Sequence, residues 1–170
     1  MSDKLKTVET SRTVFATQFE LLKLELTLID SAVRAQDDIC KNIKNWAIVA
    51  WTATVGFTIS NTPLRPFVFA TAFIPLAFWI VDGSFRRVQR SFILRTREIS
   101  DFLNSAHFIS AASAGTPIDF DLMKMRSKVG NRTSWATVMR FKTVAALYLL
   151  LITGSILIHM IVHHIGPEQK

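Results

Sequence analysis

The chain has a single cysteine, Cys40, among its 170 residues. One cysteine excludes an intramolecular disulfide, and with it the disulfide-stapled secreted domains. No paired-cysteine zinc motif, glycine-rich phosphate loop or nucleophile-elbow sequence occurs. Charge is also scarce. Only 19% of residues are Asp, Glu, Lys or Arg, against 49% hydrophobic. Residues 47–82 carry Arg65 and Asp82 alone, and residues 144–170 carry only Glu168 and Lys170. Such charge-free blocks exclude an ordinary basic nucleic-acid-binding domain and a disordered polar chain.

What charge there is has an address. Residues 1–46 hold seven basic and seven acidic side chains, whereas residues 83–143 hold eleven basic and four acidic. The second segment therefore accounts for the whole formal net charge of +7. A basic block between apolar blocks is the pattern of an integral membrane protein.

Three apolar blocks read as transmembrane helices, since a span of about 30 Å needs about 20 helical residues. The first, residues 45–64, is weakened by four threonines, whose hydroxyls bond back to the preceding helical turn. Asn61, Thr62, Pro63 and Pro66 mark a tight turn. The second block, Phe67 to Val81, contains Pro75, which is expected to kink its helix near the middle. Together the first two form a transmembrane hairpin over 46–82. The third runs from Thr143 to Pro167 without a formal charge, with its helix expected over 143–165 and a tail over 166–170. No signal peptide is expected, because the first 45 residues are charged and amphipathic.

Basic flanks set the orientation. Lys41 and Lys44 precede the first span and only Arg65 lies in the hairpin turn. Arg86, Arg87, Arg90, Arg95 and Arg97 follow the second span, and Arg140 and Lys142 precede the third. The positive-inside rule then places the N-terminus and residues 83–142 in the cytoplasm of a bacterial inner membrane.

Within residues 1–45 the clearest periodicity is Phe15, Phe19, Leu22, Leu26, Ile29 and Val33, spaced 4, 3, 4, 3 and 4. This heptad seam predicts a coiled coil or long bundle helix that, together with the hairpin, is expected to join copies of the chain into a homo-oligomer, and its register extends to Val8, Cys40 and Ile43. Leu21, Leu24 and Leu28 widen the apolar face, which implies more than one neighbour. With no helix breaker between Thr13 and Trp46, the helix is expected to run on into the first span. Phe85, Phe92, Ile99 and Phe102 or Leu103 predict a second cytoplasmic helix over 84–104. Breaks are expected at 111–117 and 130–133, with a short helix from Asp119 to Lys128 between them. Ser134 is placed to start the helix of the third span, with Trp135 at the interface. No internal repeat is evident.

Few residues offer chemistry. Cys40 falls on the seam and reads as a small core residue. His159 and His163 lie one helical turn apart, with His164 beside them and only Glu168 as a nearby carboxylate. Interfacial histidines are the plainer account of that group than a metal site. Asp82 is the most informative ionisable residue, since a spacing of four puts Arg86 on its face near the bilayer edge. With Arg87 and Arg90 it forms a polar edge to the membrane. Three uses compete for these residues: anchoring the helix end and touching lipid phosphates, a ring for an anionic ligand, or an acidic ring of Asp82 at a pore mouth.

The run from Phe78 to Arg90 (Phe-Trp, two residues, Asp, then an aromatic and basic helix) resembles the RipA family of octameric inner-membrane proteins. More remotely, the order of helix, hairpin, helix and late span is similar to membrane effectors of bacterial antiphage systems. The resemblance implies ring-like homo-oligomers, the octamer among them, and carries over no catalytic residue. The family's glutamate near the end of the motif stands here as Arg90. The expected protein is thus all-α and non-enzymatic, with no cofactor and no metal, and its partners are the bilayer and further copies of itself. Its leading expected role is a pore or membrane-perturbing effector gated from the cytoplasm. The alternative is a scaffold or regulator binding a cytoplasmic protein through the basic insert. Nucleic acid is not an expected partner.

Overall fold

In a computed structural model the described residues are 2–127 and 134–165. All their regular elements are helical. Helix α1 runs unbroken from Ser2 to Ser60, as the absence of a helix breaker requires. After a bend at Asn61, a 3₁₀ helix spans Thr62–Ala72, followed by α2 over Phe73–Leu103 and α3 over Ala106–Ala114. A short α4, Trp135–Met139, precedes α5, Lys142–Ile165. The chain divides into two compact units, one of residues 1–35 with 89–129 and one of residues 36–88 with 130–170.

In the first unit the seam on α1 is used within the chain. Leu22 and Ile29 are fully buried and join Phe92 and Ile99 of α2, Ala111 of α3 and Ile118 in the core. Burying a Leu or Ile side chain contributes about 1.5–3 kcal/mol each. Phe15, Phe19, Leu26 and Val33 are half-buried, and both phenylalanines face Phe108 of α3 at ring separations of 6.3 and 6.1 Å. Helix α3 starts where the Ser105 side chain accepts the Phe108 N–H, and it ends at Gly115, whose φ of 65° is left-handed. The break expected at 111–117 therefore begins at Gly115. The short helix expected from Asp119 does not form. Residues 116–127 instead make an irregular strap, with Met123 and Met125 at positive φ. The cause is the site described below.

In the second unit the apolar segments of α1, the 3₁₀ helix and α5 are joined by a few polar contacts. Trp51 donates its indole N–H to the Ser155 hydroxyl at 2.8 Å. Ser155 donates in turn to the Leu151 carbonyl, and Thr71 Oγ1 lies 3.1 Å from the Ser155 oxygen. Thr54, Thr58 and Ser60 donate to carbonyls one turn back, so their hydroxyls are satisfied without water. Around Ala47, Val144 and Tyr148 a second core gathers Phe78, Trp79 and Phe141.

Pro75 does not kink a helix in its middle. It sits in the first turn of α2, where its missing N–H breaks no bond, and the chain before it winds as a 3₁₀ helix containing Pro63 and Pro66. Ser134 stands at the N-cap position of a helix without a side-chain capping bond, and that helix, α4, stops at Met139 while α5 begins separately at Lys142. Val8 and Trp135 have no described side chain, and 130–133, Pro167 and Glu168 lie outside the described residues. Two helical stretches, Thr62–Leu103 and Val144–His164, are long and apolar enough to cross a membrane.

Gly154 allows the Trp51 contact. A β-carbon there would stand 3.3 Å from the indole ring, so Ala obliges the ring to give by a few tenths of an ångström while a larger side chain displaces it. Gly154→Leu is expected to cost about 1–3 kcal/mol and Gly154→Ala under about 1, read as unfolding midpoints in detergent.

Candidate functional site

The first site grows from Glu25, placed by the heptad register three residues after Leu22 and four before Ile29. It therefore points into the first unit and is fully buried. A lone buried carboxylate is costly, and every polar group around Glu25 offsets that cost. Arg95 of α2, itself 2% exposed, reaches it with Nε 2.8 Å from Oε1. The backbone N–H groups of Met123 and Met125 donate to Glu25 at 2.7 and 3.2 Å. Aiming two amides at one carboxylate requires a curled backbone, which accounts for the two left-handed methionines and for the missing helix.

Arg95 completes the clasp from the other side. It donates to Glu98 at 3.2 Å and to the Asp121 carbonyl, and its guanidinium lies over the Phe120 ring at 4.7 Å. Phe120 stacks on Phe102 with centroids 4.3 Å apart. Gln18 of α1 fastens the start of the strap through paired bonds with Ile118, accepting its N–H at 2.6 Å and donating to its carbonyl at 3.2 Å. Ser127 N–H donates to the Ser91 carbonyl at the strap's far end.

Burial acts to raise the Glu25 pKa, but the bond to Arg95, its charge and the two amides outweigh burial and hold it below the usual carboxylate value. Burial acts to lower the Arg95 pKa, and Glu25 and Glu98 outweigh it and raise it. Neither residue had a role here in the sequence pattern. Glu25 is one of seven acids before residue 47, and Arg95 read as an orientation charge. The signal available was a carboxylate inside the apolar seam.

The second site surrounds Asp82, also fully buried. Arg86 Nε stands 3.8 Å from one carboxylate oxygen, as the spacing of four predicts, and Arg86 also donates to Asp37 of α1 at 3.1 Å. Lys44 Nζ lies 3.9 Å from the other oxygen, and the Tyr148 hydroxyl donates to it at 3.3 Å. The Asp82 carboxylate is therefore enclosed by α1, α2 and α5 of its own unit. Cys40 is buried beside this group, where burial, with Asp82 adding to it, pushes its thiol up to about 11. Arg86 and Arg87 belong to this unit, whereas Arg90 and Arg97 belong to the other.

Among the described residues no three His, Cys, Asp or Glu side chains gather for a metal. The His159 and His163 rings are 6.2 Å apart, with His159 edge-on to Phe69. Compared with protein-family models, curated proteins and solved structures, the chain matches none of them.

Glu25 has its pKa lowered on folding, so it stabilises the fold above its unfolded value near 4.5 and this contribution is lost as pH falls through the folded value. Protection of the Met123 and Met125 amides from hydrogen exchange, taken relative to the intrinsic rate at each pH, is expected to hold from pH 7 to about 4.5 and to fall below it. Cys40 is expected to resist alkylation at pH 8 in the folded protein and to react once unfolded, read by mass spectrometry.

Proposed function

We propose that the chain is a multi-span inner-membrane protein that acts as a non-enzymatic, self-associating scaffold or regulator, with its first unit in the cytoplasm. The observation that carries this reading is the exterior of the second unit. Val49 and Phe57 of α1, Phe67 and Phe69 of the 3₁₀ helix, Leu76 and Ile80 of α2, and Leu150 and Met160 of α5 are all exposed. Within and at the edge of its apolar segments, several polar groups point inward instead, as in Trp51–Ser155 and Asp82–Lys44. Apolar outside and polar inside is the arrangement that lipid favours and water does not. Only 17% and 22% of the most apolar stretches of Thr62–Leu103 and Val144–His164 are buried, which argues against soluble-core helices.

A third span formed by the end of α1 is part of this reading. That segment is shorter and carries threonines, yet its hydroxyls bond within the helix and Trp51 ties it to α5. Basic flanks orient all three spans with residues 83–142 in the cytoplasm. A pore ringed by Asp82 is the weaker reading, because that carboxylate is enclosed by Lys44, Arg86 and Tyr148 of the same chain. The likeness of residues 78–90 to the RipA family supports membrane residence and self-association.

Two measurements test the reading. The protein is expected to stay in the membrane pellet after alkaline carbonate extraction. In a Cys40→Ala background, cysteine placed at Asn61 is expected to label from outside intact cells and cysteine at Asp119 only after permeabilisation. Extraction into the carbonate supernatant, or labelling of position 119 from outside, would contradict it.

A further inference from the structure

Helix α1 carries a second heptad line. Val14, Thr17, Leu21, Leu24, Leu28, Ser31 and Ala35 are spaced 3, 4, 3, 4, 3 and 4, and every one is exposed. Leu24 is 48% exposed, Val14 39%, and Leu21 and Leu28 37% each. At 100° per residue this line lies about a third of a turn away from Leu22, Glu25 and Ile29, which face the core. The chain's own α2, α3 and strap therefore occupy one face of α1 and leave this one uncovered. Its spacing is that of a coiled-coil seam, with leucines at the centre and small residues at the ends.

We propose that this seam docks a second copy of the same chain, helix beside helix, parallel and in register. Four observations select that occupant. The line is self-complementary, since in-register pairing puts Leu21, Leu24 and Leu28 each against its own equivalent. Its polar members need no partner, because Thr17 donates to the Thr13 carbonyl and Ser31 to the Leu28 carbonyl within the helix. The flanking charges Glu20 and Arg34 are matched within each copy by Lys23 and Asp30 of the polar face, both at 2.7 Å, so an approaching copy meets no row of like charge. Finally, copies sharing one membrane share one orientation, which makes their α1 helices parallel and raises their effective concentration. This rests on the membrane reading above. It replaces the line Phe15 to Val33 as the contact between copies, because that line is engaged inside the chain.

Single cysteines in a Cys40→Ala background test the proposal by oxidative cross-linking in native membranes. Thr17→Cys, Leu24→Cys and Ser31→Cys are each expected to give a homodimer band, while Lys23→Cys and Asp30→Cys, on the polar face, give at least fivefold less. Equal yields at all five positions would mean collision without an interface. A band at Leu24 alone would mean antiparallel pairing. A band of another mass would mean a different partner. Each of these overturns the proposal. Carbonate extraction of the same membranes keeps the two readings apart, since a protein that stays in the pellet but does not cross-link retains its place in the membrane and loses only this interface.

Discussion

A carboxylate sealed from water persists in a fold only if the surrounding groups replace its hydration. Glu25 imposes that constraint on the first unit. Arg95 supplies the opposite charge, the Met123 and Met125 amides supply hydrogen bonds, and together they draw residues 116–127 across α1 and α2. Left-handed backbone at a non-glycine residue costs about 1–3 kcal/mol. Here two such residues are tolerated because their amides meet a charge. One buried ion pair thus decides the path of a strap that hydrophobic patterning would have made a helix.

The second unit answers to the opposite condition. Many large apolar side chains are exposed on it while a few buried polar ones meet one another, so the register of its apolar segments comes from few contacts. The Trp51 indole and the hydroxyls of Ser155 and Thr71 relate three apolar segments that would otherwise pack with little to fix their register. Asp82 does the same at the end of the apolar region, holding α1, α2 and α5 through Lys44, Arg86 and Tyr148.

Much of this was legible in the residues. Periodicity placed α1 and the helix through Phe92 and Ile99, because a repeating spacing survives any packing context, and a long run without charge placed α5. The Asp82–Arg86 pair followed from a spacing of four. What escaped was non-local. Pro75 reads as a kink unless the 3₁₀ winding before it is known, and Met123 and Met125 have no local preference for a left-handed turn. Glu25 and Arg95 are separated by seventy residues, so spacing alone could not pair them. The leucines at 21, 24 and 28 read as a widening of one apolar face, whereas in the structure they are exposed and Leu22, Glu25 and Ile29 are buried.

The dependence of the first unit on Glu25 and Arg95 is tested most directly by a double-mutant cycle. Unfolding free energies are compared for Glu25→Leu, Arg95→Met and the two combined. Each single change strands a buried charge and is expected to cost about 3–5 kcal/mol, while the pair, with both charges gone, is expected to recover at least about 2 kcal/mol of the summed loss. Simple additivity of the two single changes would contradict the account.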